Sequence, residues 1–206
     1  AMLSHELRNP LAGILNASFL LQNSDKPDRA ALELIDRQVG HTGRLLDDLL
    51  DISRITQGRF ELMKQPINLT ILVDDIRAEV QSRFDEKGVE LTADIDERPV
   101  VVFGDPTRLQ QAQTNVLTNA CKFTPKGGNV RWQLTSEKND AVIRVTDDGC
   151  GLAESDRSHV FEMFFQGEST GAVNRKGLGI GLSLVQFIVN EPVSYTHLTL
   201  PTIAEV

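Results

Sequence analysis

Two apolar stripes at helical spacing, separated by a turn cluster, constrain the start of this 206-residue chain more than any other feature. Leu3, Leu7, Leu11, Ile14 and Leu21 recur at three- and four-residue steps, with Ala17 and Ser18 filling the gap. Asn23, Ser24, Asp25, Lys26, Pro27 and Asp28 then form a turn cluster, and Asp28 is placed to cap a second helix. In that helix Leu32, Ile35, Val39, Thr42, Leu45, Leu49, Ile52 and Ile55 repeat the pattern until Gly58 closes it. A hairpin with one stripe per helix cannot bury both stripes by itself. Pairing with a second copy makes a four-helix bundle, so a homodimer is expected. Periodicity alone favours a plain coiled-coil spacer, so evidence of chemistry has to come from residues off the stripes.

From about residue 66 the pattern alternates between strands and helices. Residues 69–84 read as a helix, 89–95 alternate with period two, and 100–103 form a short apolar strand. Asp105 caps a helix that has Pro106 at its first position and runs to about Phe123. Residues 129–136 and 141–146 read as an antiparallel pair joined by a polar turn, with helical segments near 153–159 and 179–190. The expected class is α+β: an antiparallel helical hairpin, half of a dimeric four-helix bundle, followed by a two-layer α/β sandwich. The sandwich is a mixed sheet with helices on one face.

A net charge of −8 argues against a protein that coats nucleic-acid phosphates. Cys121 and Cys150 are too few and too far apart for a metal knuckle or a disulfide framework, which points to free thiols in the cytoplasm. No stretch reaches the ~18–20 apolar residues of a membrane span. The chain is therefore expected to be soluble, with any membrane attachment in regions that precede it.

Four motifs carry chemistry. Ser4-His5-Glu6-Leu7-Arg8-Asn9-Pro10 places His5 and Asn9 four apart, off the leucine stripe. An imidazole near neutral pH is a usable nucleophile, and Glu6 beside it can orient the ring or take its proton. Pro10 removes a helical hydrogen bond and is expected to kink the helix. A lone surface histidine usually has no task; here the surrounding residues matter more than the imidazole.

Asn115, Asn119 and Lys122 form one polar stripe on a helix otherwise built for burial by Val116, Leu117 and Ala120. Two amides and an ammonium suit Mg²⁺ and phosphate, because Mg²⁺ keeps waters and shares phosphate oxygens. A solvated helix face explains this stripe equally well. Asp147-Asp148-Gly149-Cys150-Gly151 follows a strand. A carboxylate there can accept from an exocyclic amine such as that of adenine, and Gly149 and Gly151 let a planar base approach the backbone. Gly177-Leu178-Gly179-Ile180-Gly181 leads into the last apolar helix, where backbone N–H groups can face phosphate. Its position near the C-terminus, after a polar stretch, does not suit a dinucleotide-binding unit.

In this order the four motifs resemble the H-, N-, G1- and G2-boxes of sensor histidine kinases. Val160, Phe161, Glu162, Met163, Phe164 and Phe165 sit where that family has its F-box. The resemblance runs from residue 2 to about 190. It implies a dimerisation and phosphotransfer hairpin over 1–58, a linker over 59–66, and a catalytic ATP-binding domain over 67–192 of the kind shared with gyrase-type ATPases and Hsp90 chaperones. It also implies His5 as phosphoacceptor, Glu6 as its acid/base partner and Asn9 as the positioner of water for phosphatase activity. Asn119 becomes the Mg²⁺ ligand, Asn115 and Lys122 metal- and phosphate-side contacts, and Asp147 the adenine reader. Gly177, Gly179 and Gly181 become the phosphate end of an ATP lid over roughly 161–177. ATP and Mg²⁺ are the implied cofactors, and a response-regulator receiver domain is the implied partner.

Two other readings stand beside this one. A gyrase- or chaperone-type ATP hydrolase wants a water-activating carboxylate where this chain has Asn115. A non-catalytic dimeric scaffold would have no need of Asn119, Asp147 and the glycines. The C-terminus departs from the family pattern. Residues 193–202 resemble a translated sequencing adapter, so 193–206 are expected to be a non-native tail on a domain lacking its closing strands. The alternative is a genuine strand, since 194–200 partly alternate.

Overall fold

The computed structural model describes residues 2–23, 28–138, 140–167, 177–190 and 196–198. These fall into two compact units. One holds the chain up to Phe60 together with 177–180; the other begins at Glu61 and takes in the rest.

The first unit is the expected hairpin, α1 (Met2–Gln22) and α2 (Arg29–Thr56). Asp28 caps α2 as its sequence position suggested, Oδ1 accepting from the N–H groups of Ala30 and Ala31. At the far end Gly58 N–H donates to Ile55 O and Arg59 N–H to Arg54 O, the paired bonds of a Schellman stop. Small residues let the two helices approach: Ala17 and Ala31 are buried, and a Cβ on Gly13 would stand 3.2 Å from Gln38 Cγ. The long side chains fare differently. Of the stripe residues Leu11 is 50% exposed, Leu32 47% and Val39 55%, and beside the first stripe Leu15 and Phe19 are exposed too, so a broad apolar surface faces solvent in a single chain.

In the second unit the order is β1 (Gln65–Asn68), α3 (Leu69–Lys87), β2 (Glu90–Ile95), β3 (Val101–Gly104), α4 (Pro106–Phe123), β4 (Asn129–Glu137), β5 (Asp140–Asp147), α5 (Glu154–Arg157), α6 (Gly181–Asn190) and β6 (Thr196–Leu198). The strands make two sheets. β1 and β3 pair antiparallel, and β2-β4-β5-β6 form a mixed sheet with β2 parallel to β4 and β4 antiparallel to β5.

Period-two alternation fixes the core face. Leu91, Ala93 and Ile95 stand opposite Val130, Trp132 and Leu134, and the last two in turn meet Val145 and Ile143 of β5. Trp132 and Leu134 are fully buried, and α3 and α4 cover this face with Ile76, Val80, Phe84 and Leu117. Fully burying such side chains contributes roughly 1.5–3 kcal/mol each, so this unit has a closed core of its own.

Two expectations need correction. The linker over 59–66 ends early, because Gln65 and Pro66 belong to β1. That strand was hidden by its length and by a proline, which the exposed edge of a two-stranded sheet tolerates. The expectation of a sheet without further strands also fails over three residues, since β6 pairs parallel with Ala141, Val142 and Ile143 of β5. The rest of the tail, 193–195 and 199–206, lies outside the described residues.

Candidate functional site

The site begins with the placement of α4. Asp105, nearly buried, caps it through Oδ1 to Arg108 N–H at 3.2 Å, while Oδ2 accepts from Met63 N–H at 2.9 Å. One carboxylate thus starts the helix and anchors the segment that enters the domain. Asn115, Asn119 and Lys122 lie along one strip of α4 and are half-buried, whereas Val116, Leu117, Ala120 and Cys121 between them are buried. Asn115 Nδ2 points at Gly181 O at 3.5 Å, so the strip meets the first residue of α6. Lys122 Nζ stands 4.8 Å from the centroid of Phe123, which holds the ammonium over a ring face.

The turn after β5 reaches the other end of α4. Asp147 is exposed, and its Oδ1 accepts from Gly149 N–H at 2.9 Å. A Cβ on Gly149 would meet Phe123 O at 3.1 Å, so only glycine lets this turn sit against the helix end. Asp148 Oδ2 accepts from Asn129 N–H at 2.7 Å and fastens the turn to the start of β4. Gly151 follows in a left-handed conformation, φ +66°. Within the second unit Asn115 thus meets Gly181, and the Asp147–Gly149 turn lies against the end of α4 that carries Lys122.

Gly177 and Gly179 belong to the first unit. Leu178 and Ile180 are 4% and 1% exposed, packed with Leu45 and Ile52 of α2 and bordered by Leu7, Leu49 and Ile55. Gly177 N–H donates to Glu6 Oε2 at 3.1 Å. Of the three glycines expected to face phosphate, Gly181 begins α6 beside Asn115, while Gly177 and Gly179 flank the buried Leu178. The intervening apolar side chains carry Gly177 and Gly179 into the hairpin's unit. Residues 168–176 of the expected lid lie outside the described residues. His5, Glu6 and Asn9 all lie in the first three turns of α1, and Asn9 is exposed.

Sequence reading missed two supporting groups. Thr124 is fully buried and returns its hydroxyl to Ala120 O at 2.8 Å, closing α4. Lys87, at the end of α3, donates to Cys121 O and Lys122 O at 2.7 and 2.6 Å. The Thr124 bond is local, four residues back, whereas Lys87 leaves no local signal, since it is 34 and 35 residues away from its acceptors.

Both cysteines are free. Burial pushes the Cys121 thiol above its ordinary pKa, against the opposing pull of Lys87 and Arg83, while Cys150 is exposed. Among the described residues no three His, Cys, Asp or Glu side chains cluster to hold a metal. A cation at α4 would instead take one amide oxygen, as Asn119 offers, and complete its shell with phosphate oxygens and water. That donor set suits Mg²⁺. No helix of the described residues is long and apolar enough to cross a membrane.

Comparison with known proteins bears on this geometry. Residues 1–58 match the His Kinase A (phospho-acceptor) domain, and residues 104–199 match the histidine kinase-, DNA gyrase B- and HSP90-like ATPases. The autoinducer 2 sensor kinase/phosphatase LuxQ of Vibrio cholerae serotype O1 is 35% identical over 97% of this chain and 24% of its own length. The structure of the mycobacterial sensor histidine kinase MprB is 31% identical, with a TM-score of 0.53 over 62% of this chain and 78% of that one. Full-length ShkA in complex with AMPPNP is 28% identical, with a TM-score of 0.64 over 92% of this chain and 40% of that one. The chain spans about a quarter of the length of the curated relatives it matches. With a phospho-acceptor hairpin and this ATPase domain in one polypeptide, the chain belongs to the sensor histidine kinases of two-component systems.

Proposed function

We propose that this chain uses ATP to phosphorylate His5, and that the phosphoryl group then passes to an aspartate of a response-regulator receiver domain. The observation that carries the reading is the meeting of Asn115 with Gly181, which sets the first amide of the α4 strip beside the N-terminus of α6. Backbone N–H groups at a helix start and a nearby ammonium form a seat for the phosphates of a nucleotide. Asp147, held by Gly149 N–H and still exposed, is placed to accept from the adenine amine. The AMPPNP held by ShkA is a nucleotide triphosphate analogue, which agrees with this seat.

In the reaction an imidazole nitrogen of His5 attacks the γ-phosphorus in line. The bond to the bridging oxygen breaks, ADP departs, and Glu6 takes the imidazole proton. Mg²⁺ on Asn119 would neutralise charge on the phosphate oxygens. Water is a poor competitor here, because the residue facing Gly181 is an amide, Asn115, and not a carboxylate base. Asn9, one turn after His5, orients water for the reverse duty of dephosphorylating the receiver. LuxQ, described as a kinase/phosphatase, has both duties in one protein. The half-exposed stripes of α1 and α2 are the homodimer interface.

Incubation with γ-labelled ATP and Mg²⁺ tests the proposal. Acid-labile phosphate should appear on the chain and vanish in His5→Gln, with His41, His159 and His197 intact. Labelling that persists in that variant would sink the assignment.

A further inference from the structure

We infer that Lys87 is a positioning residue of the nucleotide site, clamping the end of α4 that carries Lys122 and supports the Asp147–Gly149 turn. The inference rests on the ATP reading above and concerns a residue outside every motif. A helix leaves its last four carbonyls without helical partners, so each has to be accounted for. Ala120 O accepts from Thr124 N–H and from the Thr124 hydroxyl. Cys121 O and Lys122 O both accept from Lys87 Nζ. Phe123 O lies against the Gly149 backbone. The same four residues thus bear the phosphate-side lysine, the packing surface of the adenine-side turn and the contact to α3.

Position in α3 makes Lys87 suited to this. It is the last residue of that helix, and Gly88 follows in the left-handed conformation (φ +69°), its N–H returning to Asp85 O. Gly127 N–H then donates to Gly88 O at 2.7 Å, so the ends of α3 and α4 are drawn into one corner. Two helix C-termini, each carrying about half a negative charge, converge there. An uncompensated negative pole beside Lys122 would oppose an anionic ligand on the same strip. The Lys87 ammonium offsets both poles while its two hydrogen bonds hold the last turn of α4 in register. The Cys121 thiol, pushed up by burial, stays protonated and adds no charge to the corner. Arg83, one turn earlier on α3, presents its backbone oxygen to Cys121 Sγ at 3.7 Å and leaves these carbonyls to Lys87.

The test compares Lys87→Met, Lys87→Arg and Lys126→Met in the whole chain. Lys126 is exposed and packs its stem on Gly88, so its loss removes the same charge nearby without touching the α4 carbonyls. ATP affinity is measured calorimetrically with Mg²⁺, initial autophosphorylation rates are taken across ATP concentrations, and folding is followed by the fluorescence of the sole tryptophan, Trp132. Lys87→Met should raise both the dissociation constant and KM about tenfold, with kcat within about twofold, as expected for lost positioning of a bound anion. Lys87→Arg should restore most of the affinity, and Lys126→Met should leave it within about twofold. Lys87→Gln, which keeps a donor but not the charge, serves if the Met variant does not fold, and should fall between Met and Arg. Unchanged affinity in the Lys87 variants while the parent binds ATP would overturn this inference alone, as would an equal loss in Lys126→Met. A parent chain that binds no ATP would overturn the nucleotide reading and this inference together.

Discussion

The two units use apolar residues in opposite ways. In the ATPase unit the large side chains close on one another: Trp132, Phe84, Leu134 and Ile76 are fully buried. In the hairpin's unit burial is partial: Ala17 and Ala31 are buried between the helices and Leu45 and Ile52 are buried against Leu178 and Ile180, while Leu15, Phe19, Val39 and Leu50 are more than half exposed. Similar apolar patterning therefore has two meanings. Where strands and helices of one chain close a core, it measures stability. Where a hairpin leaves large apolar side chains uncovered, it offers a surface for a partner. The proposed transfer to His5 would have use for both: a domain with a closed core of its own, and a hairpin with apolar surface left for a partner.

The sharpest way to test that separation is to disable one unit and watch the other. Asn119→Ala should abolish autophosphorylation, because it removes the oxygen donor proposed for Mg²⁺, yet leave the dimer intact. Sedimentation and label incorporation read the two properties independently. A monomeric Asn119→Ala chain would show that the units are not separable as argued.

The reciprocal change is Leu15→Glu with Phe19→Glu. Each exposed side chain buried on dimerisation contributes roughly 1.5–3 kcal/mol, so losing two per protomer, four per dimer, should weaken association by at least about ten-thousandfold. Trp132 fluorescence should still report the same melting transition, since that residue belongs to the other core. A lowered Trp132 transition would mean that the ATPase unit leans on the dimer for its stability.

How much of this was legible beforehand divides along physical lines. Helix periods, the Asp28 and Asp105 caps, and the β4–β5 pairing are local, and all could be read from spacing. β1 was not, because Gln65, Pro66, Ile67 and Asn68 offer a single apolar residue and gain their strand character only from β3. Within the site, the strip on α4 and the Asp147 turn were legible as motifs. The destinations of Gly177 and Gly179 were not: glycine spacing suggested phosphate, whereas the burial of Leu178 and Ile180 decided where those backbones went. Lys87 was invisible for the same reason, since its partners are set by how α3 and α4 meet.

A smaller effect is expected within the hairpin itself. Asn9→Ala should leave autophosphorylation within about twofold and slow dephosphorylation of a cognate receiver about tenfold, because an amide can orient water but is not the nucleophile. Following both reactions with one preparation and one receiver keeps the comparison internal. Kinase lost with phosphatase kept would reverse the assignment and place Asn9 in the forward reaction.

The smallest effect should come from deleting residues 193–206. β6 adds three residues to the edge of β5, opposite Ala141, Val142 and Ile143. Each backbone hydrogen bond gained there contributes about 1 kcal/mol net, while fixing each residue's backbone costs about 1–2 kcal/mol. Those terms nearly cancel for so short a ladder, unless side chains beyond the ladder add burial. The deletion should therefore move the Trp132 melting transition by about 2 °C or less, given that 1 kcal/mol shifts a domain approaching 150 residues by roughly 2–4 °C. ATP affinity should be unchanged, because no residue of α4, the Asp147 turn or the start of α6 is removed. A drop well beyond 5 °C with loss of ATP binding would show that the segment closes the sheet as an integral strand, and that its resemblance to a translated adapter is coincidental.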